Sequence, residues 1–100
     1  MFLDDEIVQI AESRDWTHWS TREKVNYDII KLLHKRFVDI GNENTQFNDI
    51  LIEVKKVKNA FTLATKRLEK KGVYLHLSWH EVVSIIFPKD TEVTKKLKIV

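Results

Sequence analysis

His76 and His80 stand four residues apart, a spacing that puts two imidazoles on one face of a helix and lets them share a metal ion. Ser78, which reads as a helix N-cap, falls between them and places His76 outside that helix. Glu81 follows His80, but no His-Glu-x-x-His pattern is present. The expectation is a half-buried His80 and a strand-facing His76, with no metal bound. Other chemistry is excluded more directly. The chain has no cysteine, hence no thiolate nucleophile, thiolate metal site or disulfide. Gly41 and Gly72 are its only glycines, so no glycine-rich phosphate loop exists. Ser13, Ser20, Ser78 and Ser84 fall at cap or helix positions without a nucleophile elbow. Asp4, Asp5 and Glu6 have the chemistry to hold a hard cation, but at a helix start they are expected to serve the helix dipole. The chain is therefore expected to lack enzymatic activity and cofactors.

Binding chemistry is better represented. Lys55, Lys56, Lys66, Arg67 and Lys70 gather on one side of a helix spanning about 47–71, with Asn59 and Leu63 among them and Lys58 and Lys71 flanking. Cations repeated along an exposed helical stripe neutralise phosphates, and Asn is suited to an adenine edge. Nucleic acid is the partner expected for Lys55, Lys56, Asn59, Lys66, Arg67 and Lys70. The competing reading is a solvated face that keeps the protein soluble. A second group, Trp16 and Trp19 around His18, falls in a predicted loop. Such tryptophans either anchor a protein interface or close the crevice between the first two helices. In the first case the chain is an adaptor, an inhibitor or a small regulatory protein of the kind common in phages and mobile elements, docked on an acidic protein surface. Trp79, just inside a predicted helix, is expected in the core.

These residues must be positioned by helices. Two glycines and one proline leave few chain breakers. Leu3, Ile7, Ile10 and Ala11 recur at helical spacing up to Ser13. Ser20-Thr21-Arg22-Glu23 has capping-box spacing and opens a second helix predicted to end at Gly41, with Val25, Ile29, Ile30, Leu33, Phe37 and Ile40 along its apolar side. The third helix begins near Thr45 or Phe47 and turns Ile50, Val54, Val57, Phe61, Ala64 and Leu68 to one face. Phe47, Leu51 and Leu63 lie towards or beyond the edges of that face, which leaves room for a homodimer. Ser78-Trp79-His80-Glu81 is a second capping box, and Pro88 stops the helix it opens. The alternation of Val73 to Leu77 suits a short strand, and Leu97 to Val100 is either helix or a strand pairing with it.

Lys66 to Val73, with Leu68 and Gly72 in a Leu-x-x-x-Gly pattern, resembles the end of a winged-helix recognition helix leading into its wing. That resemblance implies a helix-turn-helix with a break near Lys55–Lys58, whereas the unbroken stripe of Val54 and Val57 predicts a continuous helix. The fold expected is all-α: one domain over residues 1–100, a bundle of four to five helices around two long amphipathic ones, with residues 73–77 and 97–100 able to form a short hairpin.

Charge is asymmetric. Residues 1–50 hold six Lys/Arg against ten Asp/Glu, and residues 51–100 hold eleven against five. This points to an anionic partner for the basic half, or to the two halves attracting each other within the fold. The acidic N-terminal stretch does not suit a secretory signal, and no apolar run reaches the roughly 18 residues needed to span a bilayer. A cytoplasmic protein with no membrane association is expected.

Overall fold

The structure, a computed structural model, describes residues 2–100 and contains five helices: α1 (Leu3–Glu12), α2 (Thr21–Glu43), α3 (Phe47–Lys70), α4 (Trp79–Ile86) and α5 (Glu92–Ile99). There is no strand among the described residues. Helix α3 is the axis of the bundle. Its 24 residues span about 36 Å, most of the 44 Å length of the molecule. Helices α1 and α2 lie against it and each other, while α4 and α5 pair and pack on α3, with α4 also against α2.

The apolar stripes predicted for α2 and α3 meet at the centre, where Val25, Ile29, Leu33, Phe37 and Ile40 of α2 and Val54, Val57, Phe61, Ala64 and Leu68 of α3 are buried. In α1 the expected Ile7 and Ala11 are buried, Leu3 and Ile10 are half-buried, and Val8, outside the expected set, is buried with them. Ile30 and Ile50, at the stripe edges, are half-buried against them. Trp79 joins four helices. Its ring lies against Phe37 (5.8 Å) and Phe61 (6.0 Å), and its indole N–H donates to the Leu97 carbonyl at 2.9 Å. A buried indole needs such an acceptor for its N–H.

Helix ends show which local signals were used. Helix α3 closes in a Schellman motif: Val73 N–H donates to the Leu68 carbonyl and Gly72 N–H to that of Glu69. Gly72 takes the positive φ of 81° that this closure requires. Gly41, by contrast, is helical, and α2 runs past it to Glu43. It ends at Asn44, whose backbone and side-chain amides both donate to the Ile40 carbonyl. The end expected at Gly41 is thus displaced by the side-chain cap that Asn44 offers. Ser78 caps α4 as predicted, accepting from Glu81 N–H at 3.1 Å, and Thr91 caps α5 in the same manner. Phe87, the residue before proline, leaves the α region with φ −122° and ψ 84°, so α4 stops before Pro88.

The hairpin does not form. Leu97 lies within α5, and residues 73–78 form no helix or strand. Their alternation is real, with Leu75 and Leu77 buried and Tyr74 and His76 exposed, but it docks a single segment on the core. The Asn26 side-chain amide takes the Leu75 carbonyl at 3.0 Å, and His76 adopts φ 52°, which a regular strand does not accommodate. Helix α3 is also unbroken at Lys55–Lys58, so the helix-turn-helix implied by the winged-helix resemblance is absent. Burial of Val54 and Val57 on the stripe shared with Phe61 holds that segment helical.

Candidate functional site

The six candidate residues of α3 do not share one environment. The Arg67 guanidinium, half-buried against α1, donates from a single nitrogen to Asp4 and to Asp5, each at 2.7 Å. The hydrogen bonds to Asp5 and Asp4 raise its pKa still further. Lys56 pairs with Glu53, 3.0 Å away on the same helix. Lys71 pairs with Glu12 of α1, and the flanking Lys58 donates to the Val100 carbonyl. The charge asymmetry between the halves is therefore partly answered inside the fold, where acids of α1 meet the basic end of α3.

Lys55, Asn59, Lys66 and Lys70 remain. All four are exposed, and none has a hydrogen-bond or ion-pair partner among the described residues. At 100° per residue they fall within a narrow stripe facing away from the Val54–Leu68 core. At 1.5 Å per residue they extend over about 22 Å. Leu63 lies on the same stripe and is exposed, while Leu51 packs on the core and Phe47 is half-buried beneath the Lys96 ammonium.

The two loop tryptophans also separate. Trp16 packs against the core, and its indole N–H donates to the Ala11 carbonyl at 2.8 Å, closing the α1–α2 crevice. Trp19 is 86% exposed. Its ring stacks with that of His18, centroids 6.3 Å apart and planes 20° from parallel. The loop is braced locally. Asp15 accepts from the hydroxyl and backbone N–H of Thr17, which together hold its carboxyl below the usual range. The Thr21 hydroxyl donates to the Asp15 carbonyl.

The capping box expected at Ser20 is not made. The Ser20 hydroxyl instead meets His18 Nδ1 at 2.8 Å, leaving the first amides of α2 without a side-chain cap. Such a serine–histidine pair is the start of a nucleophile and base, but activation also needs a third group to orient the imidazole. No carboxylate bonds His18 among the described residues. His76 and His80 are both exposed, and no group of metal-ligating side chains occurs among the described residues.

No family model, curated protein or solved structure matches this chain.

What the sequence reading missed is the company Trp19 keeps. The segment after α3 folds back beside the α1–α2 loop, and the two line a shallow cleft of about 450 Å³. Its walls are Trp16, His18, Trp19 and Arg22 on one side and Gly72, Val73, Tyr74 and His76 on the other. Tyr74 and His76 form a second ring pair, with centroids 6.4 Å apart. The available signal was the exposed phase of the 73–77 alternation, which puts Tyr74 and His76 on the same outward side.

Proposed function

We propose that this protein is a non-enzymatic binding module that holds nucleic acid along the outer stripe of α3, with Lys55, Lys66 and Lys70 against phosphates and Asn59 between them. One observation carries the reading: these side chains are aligned on an unbroken helix and have no ion-pair or hydrogen-bond partner among the described residues, while neighbouring cations are neutralised by acids. Lys66 and Lys70 are four apart, a like-charge spacing that costs a helix a few tenths of a kcal/mol, about 0.2–0.5. A polyanion bound there relieves that repulsion. Arg67 and Lys56 are excluded from the phosphate-binding set, because binding through them would break existing ion pairs.

Three lysines give a modest salt dependence. The slope of log affinity against log salt should be roughly −2 to −3. The test is fluorescence anisotropy of a labelled oligonucleotide at several salt concentrations, with the native chain and with Lys66→Glu/Lys70→Glu. Loss of most of the affinity in the double variant supports the reading. No binding at low salt, or binding unchanged by the double reversal, removes it.

A second reading, a protein-interaction module of the adaptor or inhibitor type, is favoured by the exposure of Trp19. It requires an acidic protein partner whose capture depends on Trp19 and which oligonucleotides do not displace.

A further inference from the structure

The cleft beside Trp19 adjoins the basic stripe. Lys70 ends α3, and Gly72, two residues on, lines the cleft. Two ring pairs, His18–Trp19 and Tyr74–His76, come from different loops and border the same space. Arg22 stands at its edge without an acidic partner among the described residues. The uncapped start of α2, with its Ser20 hydroxyl turned to His18, adds the positive end of a helix dipole on the same side.

We propose that this cleft seats an unpaired nucleobase against the Trp19 indole, so that the nucleic acid held by the lysines of α3 is single-stranded. The inference rests on the nucleic-acid reading of α3 and narrows its ligand. Exposed rings beside cations are what single-strand recognition uses, because every base offers a π-face and every phosphate a charge. In a duplex the base faces are already stacked and out of reach of these rings. A continuous helix packed along its length against the other helices also lacks the projecting recognition element that reads a major groove. An apolar peptide fits less well, because two histidines, an arginine and a tyrosine are among the residues lining the walls an apolar side chain would fill.

The experiment uses the full chain and two probes, a fluorescein-labelled oligothymidylate of about 20 nucleotides and a duplex of the same length, long enough for a site of ~4–16 nucleotides. Each is titrated with the native protein, Trp19→Ala, Trp19→Phe and Tyr74→Ala. Both Trp19 and Tyr74 are exposed, so each variant is expected to keep its helices, which circular dichroism of each variant checks. The expected result is tighter binding of the single strand than of the duplex. Trp19→Ala should weaken single-strand binding by about 5- to 150-fold, the range for one lost stack. Its salt slope should stay the same, because no phosphate contact is removed. Trp19→Phe should retain most of the affinity while removing the quenching of tryptophan emission that accompanies binding. Equal or preferential duplex binding, or Trp19→Ala and Tyr74→Ala both binding like the native chain, overturns the single-strand assignment and leaves the α3 reading standing. Failure of both probes to bind at low salt overturns the two together.

Discussion

Arg67 and Lys66 are neighbours on α3, and their surroundings give them opposite duties. Arg67 reaches down to Asp4 and Asp5 and fastens the start of α1 to the end of α3, while Lys66 projects into solvent. Arg67 has its pKa raised by those bonds, so its contribution to stability is fully present below the ordinary arginine value and persists at neutral pH. Arg67→Gln should therefore lower the thermal midpoint while leaving oligonucleotide affinity within about two-fold. Lys66→Gln should do the reverse and reduce the salt slope by about 1. Thermal unfolding followed by circular dichroism, alongside salt titrations of both variants, checks the pair. Equal effects on both readouts would show that the two cations are not divided in this way. The sequence places both residues in one stripe, because helical phase is all that spacing reports. It cannot report that an acid 62 or 63 residues away lies under only one of them.

At the scale of elements, identical local signals had different outcomes. Ser20 and Ser78 each precede a glutamate by three residues, yet only Ser78 caps its helix. Around Ser20 the chain enters from a loop ordered by Asp15, Thr17 and Thr21, and His18 competes for the hydroxyl. Ser78→Ala should cost about 1 kcal/mol, as loss of an N-cap does. Ser20→Ala should cost distinctly less, as measured by urea unfolding of the two variants. The glycines diverge in the same manner. Gly72 closes α3 with a positive φ, and Gly41 passes unused because Asn44 supplies the cap. Helix existence was legible because the apolar period runs through Val54, Val57, Phe61, Ala64 and Leu68 without a gap. Helix ends were less so, because neighbouring groups compete for the same orphan amides and carbonyls. The alternation at 73–77 suggests a short strand and none forms: Leu75 and Leu77 are buried as the alternation implies, but a strand also needs a partner edge, and the helix α5 does not offer one.

For the whole molecule, the three tryptophans mark three different jobs. Trp79 joins α2, α3, α4 and α5 and is 8% exposed, Trp16 seals the α1–α2 crevice, and Trp19 stands outside the fold. Trp79→Ala should destabilise the protein by about 3–5 kcal/mol, with the Leu97 carbonyl also losing its donor. A stability loss of under about 1 kcal/mol in urea unfolding would show that this aromatic junction repacks freely. The sequence by itself determined the helical class, the core-facing residues of α2 and α3 and the candidate basic stripe, since each follows from periodicity along a single element. Only the tertiary structure decided which cations of that stripe are spent on α1, which tryptophan is left to solvent, and that Trp19, Arg22, Tyr74 and His76 border one cleft. Those outcomes depend on which distant segments come together, and charge neutralisation and ring exposure are properties of that meeting, not of the spacing within either partner.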